Sequence, residues 1–116
     1  MGIFQYNTQY KAQVAKIDGI LLCCQEAGEG YEQKAREFTI AYKNQLIPLA
    51  EFILEEIFPI CEKMELKDLI NALGTPMIEL DRNLISYLEP SLDGGHIIEV
   101  EFGGLLDCFF RVSVDG

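Results

Sequence analysis

The sequence predicts a single α+β domain across residues 1–116: an N-terminal β-hairpin, a long proline-kinked helix with a short helix after it, and a C-terminal four-stranded antiparallel meander packed on the helices. Three observations carry this. An Asp18-Gly19 pair separates two apolar-containing runs near the start. Apolar residues then recur at helical spacing from Ala35 to Ile57. Beyond Pro76 the pattern becomes short alternating runs divided by Gly, Asn and Asp.

Residues 1–9 show no clear period and read as a loose lead-in or a short edge strand. Tyr10–Ile17 and Ile20–Cys24 flank Asp18-Gly19, residue types that accept the two positive φ angles of a type I′ hairpin turn. A single helix through residues 10–26 is the alternative, and Gly19 weighs against it. From Tyr31 onward Ala35, Phe38, Tyr42, Leu46, Leu49, Ile53 and Ile57 line one stripe with a period of about 3.6. Pro48 lies inside this run. Either the helix kinks there or a second helix begins with proline in its first turn, and the preserved phase favours the kinked continuation. Pro59 ends it. Glu65–Leu73 reads as a shorter helix with Leu66, Leu69, Ile70 and Leu73 on one face and Gly74 as a left-handed cap.

The remaining segments, Met77–Asp81, Leu84–Leu88, His96–Phe102 and Leu105–Asp115, read as strands. Their short connections impose antiparallel pairing. Ile98, Val100 and Phe102 alternate with Ile97, Glu99 and Glu101, while Cys108, Phe110, Val112 and Val114 oppose Phe109, Arg111, Ser113 and Asp115. One sheet face is therefore core, covered by the long helix, and the other meets solvent or a partner.

Composition bounds the function. A chain of 116 residues, 49% hydrophobic and 24% charged, has the length and apolar content for one core without covalent staples. The net charge of −10 and pI near 4.4 argue against nucleic acid and against anionic membranes, both of which are bound by clustered Lys and Arg. A basic protein partner is consistent with them. No apolar run approaches the ~20 residues of a membrane-spanning helix. The start, Met1 to Tyr6, lacks the basic region and apolar stretch of a signal peptide, and Tyr6 stands where myristoylation needs Ser or Thr. A cytoplasmic location is the expectation. Cys23 and Cys24 are adjacent, Cys61 and Cys108 sit in apolar contexts, and one histidine cannot complete the usual zinc sets. The cysteines are read as small buried or half-buried hydrophobes, and neither a metal nor a cofactor is expected.

The charge is lopsided. Residues 1–48 hold five basic and five acidic side chains, whereas residues 49–116 hold four basic and fourteen acidic ones. The strand register places Glu79, Asp81, Glu99 and Glu101 on the outer sheet face with Arg111 as an internal partner, and Phe109 and Tyr87 are read as exposed aromatics that add to it. Like charges facing each other across strands are destabilising, so such a face is tolerated rather than favoured by folding alone. A solvated face explains it, and so does a surface complementary to a basic partner.

Catalytic signals are sparse. His96, the only histidine, must serve any Ser-His or Cys-His pair, and Cys108 on a neighbouring strand is its one candidate nucleophile. The apolar surroundings of Cys108 would raise its pKa, which opposes that role. The glycine pairs read as turns, not as a phosphate-binding loop.

The segments Leu73-Gly-Thr-Pro-Met-Ile-Glu-Leu-Asp81, Tyr87-Leu-Glu-Pro-Ser-Leu-Asp-Gly-Gly-His-Ile-Ile98 and Val112-Ser-Val-Asp-Gly116 resemble a pattern in small bacterial α+β proteins, some of which are proposed as immunity proteins that neutralise toxins. The resemblance covers the second half of the chain and implies a non-catalytic inhibitor that binds its toxin through an acidic surface. It assigns no individual residue a role. The first expectation is thus a non-enzymatic protein-binding module using Glu79, Asp81, Glu99, Glu101, Phe109 and Arg111. A small hydrolase or isomerase centred on His96 is the second. The third is a homo-oligomer, a homodimer for instance, with the outer face or the Leu105–Asp115 edge covered by another copy.

Overall fold

Residues 3–57, 65–88 and 97–115 are described by the computed structural model. Three strands open the chain: β1 (Gln5–Asn7), β2 (Ala12–Ile17) and β3 (Ile20–Cys24). Three helices follow, α1 (Tyr31–Asn44), α2 (Leu46–Ile57) and α3 (Leu66–Leu73). Four more strands complete it, β4 (Pro76–Glu79), β5 (Leu84–Tyr87), β6 (Ile97–Gly103) and β7 (Cys108–Asp115).

All seven strands belong to one sheet, ordered β1 to β7 as in the sequence. Every neighbouring pair is antiparallel except β3 and β4, which run parallel with Leu21 opposite Met77 and Cys23 opposite Glu79. This corrects the expectation of a separate hairpin and a four-stranded meander. The parallel pair fuses them, and a parallel join needs a long crossover, here the three helices. The hairpin turn itself is as expected, with Asp18 and Gly19 both at positive φ (50° and 81°). Residues 5–7 form the edge strand β1, anchored by a turn in which Asn7 Oδ1 accepts the backbone N–H groups of Gln9 and Tyr10.

The helical segment also departs from the kinked single helix. It breaks at Gln45 into α1 and α2, and Pro48 becomes the third residue of α2. There a missing N–H removes nothing, because the first four N–H groups of a helix have no partner within it. Gln45 donates to the Ala41 carbonyl and accepts from the Leu49 N–H, each at 2.9 Å. The two helices therefore keep a common phase across the break, which is why the stripe looks continuous in the sequence. Gly74 ends α3 at φ 78° and ψ −150°, a positive-φ cap outside the left-handed helical region expected of it.

The stripe residues Ala35, Phe38, Tyr42, Leu49, Ile53 and Ile57 are buried against Ile20, Leu22, Ile78, Leu80, Ile85, Tyr87, Ile98, Val100 and Phe102 of the sheet. Burial of one such side chain contributes about 1.5–3 kcal/mol, so this layer is the main source of stability. Two hydroxyls enter it as a satisfied pair, Tyr42 and Tyr87, the latter buried rather than exposed as expected, with their oxygens 2.6 Å apart. Burial pushes both phenols above their ordinary pKa, so they stay neutral.

Candidate functional site

The same strand alternation that feeds the core builds a second surface on the opposite side of the sheet. Across it run Ala12 and Val14 of β2, Leu21 and Cys23 of β3, Met77 and Glu79 of β4, Leu84 and Ser86 of β5, Glu99 and Glu101 of β6, and Arg111 of β7. The helices pack on the other side, and no described helix covers this one.

The expected site residues separate on this frame. Glu79, Glu99, Glu101 and Arg111 lie on the uncovered face. Glu79 Oε1 is 3.3 Å from the Arg82 guanidinium, and Glu101 Oε2 is 3.9 Å from Arg111 Nε. Glu99 is half-buried and accepts a long hydrogen bond, 3.4 Å, from the buried Ser86 hydroxyl. Arg82 and Arg111 are largely exposed, so water screens both ion pairs and each is worth little.

Asp81 is not on this face. β4 stops at Glu79, and Asp81 belongs to the turn before β5, where its carboxylate accepts the Tyr31 hydroxyl at 2.6 Å and the Gln25 N–H at 3.0 Å. These bonds hold its carboxyl below the ordinary range. Asp81 is a staple between the β4–β5 turn and the start of α1, assisted by Lys34, whose ammonium donates to the Leu80 carbonyl.

Phe109 is also displaced. A bulge between the Glu101 and Phe102 pairings sets Arg111 opposite Glu101 but Phe109 opposite Phe102, leaving Phe110 as the extra residue. Phe109 consequently turns to the helical side and packs on Phe52, ring centroids 5.7 Å apart. The exposed aromatic is Phe110, 67% accessible, lying over Gly103, where an added Cβ would sit 2.9 Å from its ring. No signal in the sequence favours Phe110 over Phe109, because the bulge depends on pairing with β6.

Two depressions indent the uncovered face on either side of Tyr10. One, of about 190 Å³, lies among Tyr10, Ala12, Cys23, Met77, Glu79 and Arg82 and reaches past the end of the face to Cys24, Gln25 and the turn that carries Asp81. The other is near 540 Å³ and includes Leu21, Gly74, Thr75 and Leu88. A third, of about 600 Å³, is bounded by Gln13, Gln25 and the Glu26–Gly30 loop.

Among the described residues no group of three metal-ligating side chains occurs. Cys23 and Cys24 are buried, as expected, and burial pushes their thiols up to about 12 and about 11. Neither is a thiolate nucleophile near neutral pH. Cys108 is exposed rather than buried, since it faces Gly103 on the uncovered side. His96 and Cys61 lie outside the described residues. No described helix is long and apolar enough to cross a membrane. In comparisons with known proteins, no family model, curated protein or solved structure matches the chain.

Proposed function

We propose that the chain is a non-enzymatic, immunity-like protein-binding module that presents the uncovered face of its sheet to a basic protein. One observation carries this reading. A seven-stranded sheet is covered by described helices on one face only, and its other face combines carboxylates with an exposed aromatic. Phe110 supplies the kind of apolar anchor on which interfaces concentrate their binding energy. Glu99 and Glu101 supply negative charge within reach of an approaching cation. The weak pairing of Glu101 with Arg111 favours exchange for a partner's base, because little is lost when it opens. A chain with net charge −10 would also steer a basic partner from a distance.

The test is kinetic. A partner recovered by affinity capture from the native cell is assayed against the wild type and the Glu99→Gln/Glu101→Gln double variant at low and at high salt. The double variant is expected to slow association by about tenfold at low salt and to matter far less at high salt, where charges are screened. A partner that binds both proteins at the same salt-independent rate overturns the reading.

A further inference from the structure

We infer that the depression beside Tyr10 is a pocket for one lysine or arginine side chain of the partner, a proposal that rests on the protein-binding reading above. Its size is the first argument. At about 190 Å³ it matches a single long side chain and is too small for a folded element. Its chemistry is the second. The floor is apolar, made by Ala12, Cys23 and Met77, all buried, and Tyr10 forms a wall. Such a lining suits the aliphatic stem of a basic side chain, which packs on apolar surface while its charged head seeks a polar group.

Glu79 provides that group at the rim. Its side chain is only 24% exposed, yet its one ion pair among the described residues is the 3.3 Å contact with Arg82, itself 68% exposed. An incoming cation would therefore displace a solvent-screened partner from a carboxylate that is better sheltered than the partner is. The second acid of the lining, Asp81, keeps its Tyr31 and Gln25 hydrogen bonds and adds negative potential without reorganising. Burial first, and then the neighbouring Glu79 and Asp81 carboxylates, push the Cys23 thiol up against a smaller opposing effect of Arg82, in keeping with the two acids lying beside the floor. The wall is preorganised, because Asn7 Oδ1 accepts the Gln9 and Tyr10 backbone N–H groups and so fixes the turn that carries Tyr10. An aromatic wall also offers a cation its ring face.

The probe is a capped tripeptide, Ala-Arg-Ala, titrated into isotopically labelled protein and followed by backbone amide shifts, with the isosteric citrulline peptide as the uncharged control. The expected result is saturable millimolar binding with shifts gathered on Ala12, Cys23 and Met77. Affinity should fall by about tenfold for citrulline or for Glu79→Gln, whose amide spectrum elsewhere confirms the fold. Equal shifts from both peptides, or shifts spread over acidic residues away from the pocket, overturn the assignment. The partner assay separates the two levels. Loss of binding in Glu99→Gln/Glu101→Gln but not in Glu79→Gln removes the pocket and keeps the binding face. Loss in Glu79→Gln together with localised peptide shifts supports both.

Discussion

The two faces of the sheet are made by the same strands, residue by alternate residue, yet they obey different rules. On the helical side the inward positions of β3 to β6 are apolar and almost without exposure, from Ile20, Leu22 and Cys24 to Phe102. On the other side Leu21, Cys23 and Met77 are succeeded along the sheet by Glu79, Ser86, Glu99, Glu101 and Arg111, with Phe110 standing exposed on β7. Folding alone explains the first face. The second keeps half-buried carboxylates, Glu79 and Glu99, whose antiparallel cross-strand neighbours are Leu84, Ser86 and Ser113, so the like-charge opposition expected from the sequence is avoided by the register.

That contrast can be broken deliberately. The largest effect is expected on the covered face, where Ile53→Ala should destabilise by about 3 kcal/mol, read as a shift of the denaturation midpoint, because α2 cannot collapse into the void. A smaller one is expected at the staple between the faces. Asp81→Asn should lose at most about 1 kcal/mol at neutral pH, given the exposure of the site. Its sign with pH follows from the lowered carboxyl. The ionised form favours the fold, so the difference between wild type and variant is full above the ordinary carboxyl pKa and vanishes as acid carries Asp81 through its lower folded value. Denaturant titrations at descending pH check this. The smallest effect belongs to the uncovered face. Phe110→Ser should change stability by no more than about 0.5 kcal/mol while weakening partner binding, and a large loss of stability there would mean that the two faces share one structural role.

Much of this contrast is legible in the sequence, and the illegible parts have a common cause. The hairpin, the buried stripe and the parity of Glu79, Glu99, Glu101 and Arg111 all follow from patterns a few residues long. The parallel pairing of β3 with β4 does not, since it joins segments separated by three helices. The bulge at Phe110 is likewise a property of two strands together. It reverses the side to which Phe109 points, although strict alternation predicts the opposite. Asp81 was assignable to the outer face only if β4 ran two residues further. The turn ends it first, and the freed carboxylate finds Tyr31, fifty positions away. The break at Gln45 was hidden for the reverse reason, because hydrogen bonds on both sides of it preserve the helical phase.

The parallel seam between β3 and β4 also governs how the molecule opens. Each side of it, the strands up to β3 and those from β4 onward, is held by local antiparallel pairings, whereas the seam closes the longest connection between paired strands and is the strand pairing that chain entropy opposes most. Cys23 and Glu79 face each other across that seam, and both line the pocket beside Tyr10. An occupant there would touch both ribbons at once. Its binding energy would count against any fluctuation that separates them, so hydrogen exchange along β3 and β4 would slow on binding before any other strands responded.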